Sequence, residues 1–430
     1  MEPVLVIGAG IGGLTLALML DRAGIPCRLF DAAPELKPLG VGINLLPHAM
    51  RELAALGLEP ALVAEGIETR EAAYFNRFGQ LIHTEPLGRA AGYLHPQVSI
   101  HRGRLHAILL AAFQDRIGAG QLSVGHRFSH ATQDADGVVA RFASGVDSVR
   151  GCAAVGCDGI HSAMRRQLFP DDGGPVWSGV TMWRGTTLSE PLLSGATMVR
   201  AGWLTTGKIV IYPIRDAVDA GGRQLVNWVA ELQTTARPDQ DWTRKGRVDD
   251  FIDRFEDWHF DWCDVPALIR GADEVLEYPM VDKDPLPHWS HGRLTLLGDA
   301  AHPMYPRGSN GAGQAILDAR ALVDALTAAG IGSGRTDDPV QDRADGRADR
   351  IAAALQRYSD QRCPVTADVV RANRTIPPDA IIEEVWRRTG DRPFTAIEDV
   401  ISADELQAII DRYKRIAGYD RSSLERGEGR

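Results

Sequence analysis

The sequence lacks any long apolar run. Nothing in its 430 residues approaches the about 18 consecutive apolar residues of a membrane-spanning helix. The apolar start at residues 3–7 has no basic segment before it and runs straight into a glycine loop, so no secretory leader is expected. Cysteines are few and scattered: Cys27, Cys152, Cys157, Cys263 and Cys363 are odd in number and form no C-x-x-C pair. That excludes a disulfide framework and a zinc site of the usual spacing, and leaves buried or idle thiols in a reducing cytoplasm. Positive charge is in deficit, with 47 basic against 57 acidic residues and a net charge of −10. A nucleic acid or an anionic membrane is therefore not the expected partner, although a local basic pocket remains compatible. Also missing are metal-ligand spacings, a nucleophile signature of the Ser/His/Asp kind, internal repeats and heptads. There is only one full dinucleotide fingerprint.

What is present is the composition of a globular protein, 44% hydrophobic and 24% charged, in a chain long enough for two or three lobes. Residues 4–7 form a short apolar run with the look of a buried parallel strand. Gly8-Ala9-Gly10-Ile11-Gly12-Gly13 follows at once, then a predicted helix over 14–23 and a second strand over 27–31 that ends in Asp31. In this fingerprint Gly8 permits the tight turn, Gly10 lets a pyrophosphate approach the backbone, and Gly13 lets helix and strand pack. Asp31, 18 residues past Gly13, is placed to bond a ribose hydroxyl. An acid there fits the unphosphorylated ribose of FAD or NAD rather than NADP.

A second strand-acid-glycine unit follows at residues 153–159, ending in Cys157-Asp158-Gly159, with Ser162 and Arg165 opening the next helix. A third lies at 294–299, where the apolar run Leu294-Thr295-Leu296-Leu297 leads to Gly298-Asp299. A Pro/Gly loop through Pro306, Arg307, Gly308 and Asn310 then enters a helix at Gly311. Loops at strand ends and free N–H groups at helix starts are where α/β folds place ligands. Residues 66–100 read as sheet, 101–116 as helix and 122–142 as a β-meander. Residues 177–277 alternate apolar and polar and read as a separate sheet lobe, with short helices near 248–255 and 266–269. Residues 329–350 read as loop, 349–372, 378–389 and 403–416 as helices, and 421–430 as frayed. Two glycines in the extended stretch Gly40-Val41-Gly42-Ile43 suggest backbone held against a flat ligand, the alternative being an ordinary bulge. Arg102, at a helix start, is placed to reach a cofactor phosphate or ring edge.

The order of these three motifs resembles that of the single-component FAD-dependent aromatic hydroxylases, the para-hydroxybenzoate hydroxylase-like family. The resemblance covers about residues 1–375. Longer runs lie in both lobes: Pro38-Leu-Gly-Val-Gly-Ile-Asn44, Ser99-Ile-His-Arg-Gly103, Thr181-Met-Trp-Arg-Gly185 and the stretch from Tyr278 to Trp289. They are similar to phenazine-hydroxylating members. Two positions depart from the commonest motif, Cys157 for alanine and Met164 for valine, and both read as packing changes.

The resemblance implies an α/β fold, with a Rossmann-type FAD-binding domain, an inserted β-sheet substrate domain and C-terminal helices. The FAD-binding domain would comprise 1–69, 98–176 and 278–330, the substrate-binding sheet 70–97 and 177–277, and the helical region 345–430. Gly8, Gly10, Gly12, Gly13 and Asp31 would hold the ADP half of FAD. Arg102 matches an arginine that contacts FAD, and Asp158 belongs to a motif tied to both FAD and the pyridine nucleotide. Asp299 would contact the ribityl and pyrophosphate region. Pro306 to Gly311, with Gly308 and Asn310 between them, would lie against the isoalloxazine ring, and Gly42 and Ile43 belong to the same cofactor-lining set.

The implied reaction is hydroxylation of an aromatic or heteroaromatic ring, phenazine-like or phenolic, with or without loss of a carboxylate. NADH or NADPH reduces FAD, and O₂ is used through a flavin C4a-hydroperoxide. Trp183, Tyr212, Tyr305 and Pro306 are candidate substrate contacts. Tyr212, Pro306 and Arg307 are the candidates for positioning substrate and flavin, Arg307 as a cation for a substrate carboxylate or the nicotinamide cofactor. His302 reads as structural rather than as a base. The expected assembly is a monomer or homodimer in the cytoplasm, with no nucleic-acid or membrane partner. Three rivals share the scaffold. A halogenase would need W-x-W-x-I-P, where this chain has Met182-Trp-Arg-Gly-Thr-Thr187. A Baeyer–Villiger or epoxidising monooxygenase and a non-catalytic flavin-dependent binding protein are the others.

Overall fold

The computed structural model describes residues 1–427 apart from 39, 144, 146, 236–243 and 333–343. Its first sheet has five parallel strands in the order Leu294–Leu296, Ala153–Gly156, Val4–Ile7, Cys27–Phe30 and Leu122–Ser123. Val4–Ile7 and Ala153–Gly156 are buried at every position, as strands covered on both faces must be. Helix Ile11–Arg22 packs on this sheet and on helix Gly311–Ala328. Register has a consequence for the site. Ile7 lies beside Gly156, and Gly156 beside Leu296, so three strands end on one line. Gly8, Cys157-Asp158 and Gly298-Asp299, far apart in sequence, are thereby gathered at one sheet edge.

The second sheet has seven strands, in the order Val275–Asp282, Val176–Ser189, Gln224–Gln233, Gly207–Arg215, Thr197–Trp203, Glu71–Phe75 and Leu81–Pro86. Side chains alternate between its faces. Trp183, Val199, Ala201, Ile209, Ile211, Trp228 and Ala230 point to one core, which is closed by Phe251, Phe255, Trp258 and Ile269. Met182, Val229 and Tyr74 point the other way, toward Tyr305 and the C-terminal helices through Ile381, Ile382, Val385, Leu406 and Ile410. A small three-stranded sheet, Gly42–Leu45 with Gln97–His101 and Ile67–Thr69, stands between the two.

Several local expectations are corrected. Leu122–Ser123 joins the edge of the parallel sheet; the expected meander is instead Phe128–Gln133 and Val138–Phe142 with Val149–Gly151. A helix at Glu59–Glu65 went unread, because Pro60 occupies its first turn, where a missing N–H costs nothing. The helix expected over 349–372 runs from Ala344 to Thr375 through Pro364, so the end of the expected loop is helical. Residues 333–343 of that loop lie outside the described residues. The long helix contributes Ile351, Leu355 and Tyr358 to the core of the first sheet. Arg421–Gly427, expected to fray, is helical. The helix expected near 248–255 is two 3₁₀ turns, Val248–Asp250 and Ile252–Arg254.

Candidate active site

The glycines of the first loop answer to different neighbours. A Cβ on Gly8, whose φ is +109°, would lie 2.3 Å from the Cys157 carbonyl oxygen. One on Gly13 would lie 1.9 Å from the Gly8 carbonyl oxygen, and one on Gly12 would lie 2.8 Å from Leu297 Cδ2. These three are demanded by the fold. Gly10 is different: a Cβ there meets no protein atom within 4 Å. It caps helix Ile11–Arg22 with no side-chain hydrogen bond, so the first N–H groups of that helix face open space. A glycine that the protein does not require, under an uncapped helix start, fits a pyrophosphate held against the backbone. Asp31 takes hydrogen bonds from Ala9 N and Ala33 N, both at 2.8 Å, which fixes its carboxylate at the rim of this loop.

Asp158 is turned inward. It accepts hydrogen bonds from Ser162 Oγ at 2.5 Å and Ala163 N at 2.7 Å, at the start of helix Ala163–Leu168. Burial pushes its carboxyl upward, against these bonds. Its place in the structure is therefore the brace of its own turn. Arg165 extends the brace. It pairs with Asp172 and donates to the Ala301 carbonyl at 2.7 Å, tying the middle motif to the late one. Cys157 and Met164 pack as expected, Cys157 against Gly13 and Met164 against Gly156.

In the late turn Asp299 is the exposed residue while its neighbours Gly298 and Ala300 are buried. It faces a cleft rather than open water: desolvation by the cleft walls raises its carboxyl, opposed by His302 and Arg102. Arg102 is itself exposed, with no described ion-pair partner. Gly311 completes this wall, since a Cβ on it would lie 3.9 Å from Asp299 Oδ1. Helix Gly311–Ala328 begins without a side-chain cap and without an acid in its first turn, again leaving free N–H groups toward the cleft.

His302 is 2% exposed, and its Nε2 sits 2.5 Å from Asp318 Oδ2. Arg362 Nε donates to the other Asp318 oxygen at 2.7 Å, and Gly298 N to Oδ2 at 3.1 Å. Burial alone would raise the Asp318 carboxyl, but His302 and Arg362 outweigh it and hold it below the usual range. His302 is thus a structural member of a buried network that pins the turn, and it has no access to a substrate. The loop after it is held from the other side. Tyr413 donates to Asn373 Oδ1 at 2.6 Å and accepts from Asn310 Nδ2 at 3.0 Å. A Cβ on Gly308 would collide with the same hydroxyl, at 1.5 Å.

Above this loop lies a cavity of about 450 Å³, partly open to solvent. The sheet supplies Met182, Arg184, Arg200, Lys208, Val210, Tyr212, Val229 and Glu231; the loop supplies Pro306, Arg307 and Ser309; Asn44 comes from the small sheet. Tyr212, Pro306 and Arg307 therefore do meet in one place. Burial raises the Tyr212 phenol, against Arg184 and Asn44, so it stays protonated and able to donate. Lys208 is neutralised by Glu231, at 2.9 Å, and by Asp379. The arginines make no direct ion pair among the described residues, although Asp379 acts on Arg200 and Arg307. Arg184 donates to the Gly42 carbonyl at 2.9 Å but leaves its buried Nε without a partner, and so does Arg307.

Two candidate positions are corrected. Trp183 lies on the opposite face of the sheet, stacked on Phe251 with ring centroids 4.8 Å apart; its neighbours Met182 and Arg184 face the cavity instead. Tyr305 is 7% exposed and packs among Trp203, Leu204 and Ile381 rather than lining the cavity. Gly42 is required by protein as well. A Cβ on it would lie 2.7 Å from both Tyr212 Cε2 and Asn227 Cβ, and its N–H donates to Asn227 Oδ1 at 2.7 Å. Ile43, beside it, is half-buried in the same strand. Arg184, Arg200, Lys208, Glu231, Asp318, Arg362, Asp379 and Tyr413 were not singled out from sequence. The available signal was charge at period-two positions of otherwise apolar strands, as in Met198-Val-Arg200-Ala and Lys208-Ile-Val-Ile.

Comparison with known proteins places the chain in a family. A family described as FAD binding domain matches residues 1–372. The chain is 40% identical over 431 residues to a phenazine 1,6-dicarboxylic acid hydroxylase of Lysobacter antibioticus, covering 98% of each. It is 31% identical over 404 residues to a 6-hydroxynicotinate 3-monooxygenase of Bordetella bronchiseptica, covering 91% of this chain and 93% of that one. Among solved structures, HpxO of Klebsiella pneumoniae with FAD and uric acid superposes with a TM-score of 0.73 at 23% identity, covering 98% of this chain and 97% of that one. A salicylate hydroxylase substrate complex gives 0.72 at 24% identity, covering 97% and 96%. Both structural likenesses speak for the fold.

Proposed function

This chain belongs to the FAD binding domain family as an FAD-dependent aromatic hydroxylase, and from that premise we propose that its substrate is a planar aromatic or heteroaromatic carboxylate of the phenazine or hydroxybenzoate kind. The observation that carries this reading is the cavity over the Pro306–Ser309 loop, lined by Arg184, Arg200 and Arg307, none of which makes a direct ion pair among the described residues, although Asp379 lies close enough to act on Arg200 and Arg307. A pocket lined by guanidinium groups that no carboxylate pairs directly suits an anion, and a guanidinium matches a carboxylate in two-point geometry.

FAD and NAD(P)H are the redox partners of the family. The residues present fit FAD: the open space at Gly10, the fixed Asp31, the cleft-facing Asp299 and the two uncapped helix starts are all suited to hold it. When bound and reduced by NAD(P)H, the flavin supplies O₂ activation, one oxygen atom going to the substrate ring and the other to water. The protein's own part is positional. Arg307 and Arg184 orient the acid group, and the Tyr212 hydroxyl donates a hydrogen bond. Met182, Val210, Val229 and Pro306 exclude water from the ring. No free base stands there: Glu231, the one described carboxylate lining the cavity, is tied to Lys208, and His302 is locked on Asp318. The pocket therefore suits a ring already rich in electrons. The cytoplasm is the proposed compartment, since all five cysteines are free thiols and four are buried.

The test is NAD(P)H consumption by the holoenzyme across phenazine, quinolone and hydroxybenzoate carboxylates, each set beside its neutral amide. The acids are expected to stimulate turnover and the amides not. Arg307→Ala is expected to raise KM for the acid by about tenfold or more, the scale of one lost charge-assisted contact. Equal stimulation by acid and amide, or a KM within about twofold of wild type, would sink the proposal.

A further inference from the structure

Asp379 is the residue around the cavity whose ordinary roles are unused. It occupies the N-cap position of helix Ala380–Thr389, where an aspartate usually accepts from the backbone of the first turn. No such bond forms here. The residue is 0% exposed, and beyond the charge contact with Lys208 neither carboxylate oxygen takes a hydrogen bond among the described residues. A buried carboxylate with its hydrogen-bonding capacity unfilled is costly. The side chain is turned away from its own helix and toward the cations of the cavity. Ile381, Ile382 and Val385 of that helix pack with Met182, Val229 and Tyr305 and fix it there. Asp379 lies beyond residue 372, where the family match ends.

The pairing of charges gives this placement a consequence. Lys208 is one cation with two carboxylates, Glu231 at 2.9 Å and Asp379. Glu231 alone balances it, so the charge of Asp379 is in excess there and falls on the arginines. Burial alone would raise the Asp379 carboxyl, but Lys208, Arg307 and Arg200 outweigh it and hold it below the usual range. Burial likewise works against the charge of Arg200, which Tyr74, Asp379 and Glu85 help to sustain. Arg307 makes no direct ion pair among the described residues, and its guanidinium carbon stands 6.0 Å from the Trp203 ring. The arginines thus feel a buried anion without being in contact with it. A carboxylate entering the cavity can take Arg307 in contact, and it meets Asp379 as a rival for the same charge.

We propose that Asp379 tunes the specificity of the site as a built-in anion that stands in for the substrate carboxylate, sharing the charge of Lys208, Arg307 and Arg200 and so setting how tightly an aromatic acid is held. This rests on the aromatic-acid reading above. A substrate overcomes the competition because its ring adds contacts with Met182, Val210, Val229 and Pro306, whereas a small carboxylate has no such contacts to add.

The experiment titrates oxidised holoenzyme with a phenazine monocarboxylate and with its carboxamide, following the flavin absorbance. Asp379→Asn, and Asp379→Ser with a neutral residue suited to the same N-cap, are expected to bind the acid at least about fivefold more tightly than wild type, and the amide within about twofold. Formate at about 0.1 M and constant ionic strength is expected to shift the Kd of the acid by less than about twofold in wild type and by more than about threefold in the neutral variants. A residue that only braced its helix would weaken both ligands together. Weaker or unchanged binding of the acid by the variants overturns the proposal, as does formate competition in wild type. Flavin content and melting temperature establish that the variants are folded; if neither is, the wild-type response to formate still decides. Failure of the aromatic-acid reading looks different: wild type would then bind acid and amide alike, or neither, whereas failure of the present inference alone leaves wild type selecting the acid.

Discussion

At the scale of single residues, a methyl group separates Gly10 from the glycines around it. Gly10→Ala adds an atom that touches no protein within 4 Å, on a backbone at φ −73° that alanine adopts freely. Its product is expected to fold and melt like the flavin-free wild type but to purify without its yellow colour. Gly13→Ala drives a Cβ to 1.9 Å from the Gly8 carbonyl and is expected to give insoluble protein. Flavin absorbance beside apo-protein melting reads both; a yellow Gly10→Ala would disprove the pyrophosphate assignment. His48 offers a different residue-scale test. It is 1% exposed and stacked on Tyr419, and burial with the nearby Arg362 and Arg51 depresses its pKa from 6.5 to about 3. The folded state then binds no proton there between about pH 6.5 and 3, while the unfolded chain does, so acidification through this window destabilises the fold. The loss from this one group approaches about 1.4 kcal/mol per pH unit within the window. Urea unfolding at pH 6.5 and 4.5 is expected to show a smaller pH difference for His48→Gln than for wild type, by about 2 kcal/mol. An unchanged difference would mean that His48 is not the titrating group.

At the scale of elements, the helix Ala403–Ala417 acts on the site from behind. Tyr413 is its contact, with its hydroxyl bonded to Asn310 and Asn373 and pressed against Gly308. Tyr413→Phe leaves two buried polar groups short of a partner, which costs about 1–3 kcal/mol. Because the affected groups hold the Pro306–Gly311 loop, which we propose lies against the flavin ring, the sharper expectation is functional. The variant should keep FAD, yet release a larger share of reducing equivalents as hydrogen peroxide, read as peroxide formed per NAD(P)H consumed. Unchanged coupling would reduce Tyr413 to a packing residue. Elements also explain what could be read from sequence. The strand, glycine loop, helix and acid of residues 4–31 are contiguous, and so is the turn around Asp299, so spacing alone carries their mechanics. Strand parity is not carried that way. Alternation around Trp183 was visible, but which parity faces the cavity is set by pairing with Gln224–Gln233 and by what covers each face. Trp183 was assigned inward where Arg184 belongs.

At the scale of the whole molecule, the site is a confluence. The parallel sheet supplies three strand ends, the seven-stranded sheet a wall, and the C-terminal helices a backing through Asp379 and Tyr413. No stretch of sequence announces a pocket assembled from residues 44, 184, 200, 212 and 307, because these become neighbours only when all the layers are in place. The parts of the dinucleotide motif were legible because each was local, and the strand pairing brings Gly8, Asp158 and Asp299 to one sheet edge. Of the substrate wall, Tyr212, Pro306 and Arg307 were legible, whereas Arg184, Arg200 and Lys208 were not, since these cations are dispersed one to a strand. The Lys208, Glu231 and Asp379 cluster shows the same dependence: it joins two sheet strands to the residue that opens helix Ala380–Thr389.

The most direct single measurement is the product formed by holoenzyme, NAD(P)H and an aromatic acid under ¹⁸O₂. The expected product carries one labelled oxygen as a hydroxyl on a ring carbon, whether or not a carboxylate is lost. A product with the label in an ester, lactone or epoxide, or NAD(P)H consumed with no labelled product from any aromatic acid, would contradict assignment of this chain as an aromatic ring hydroxylase.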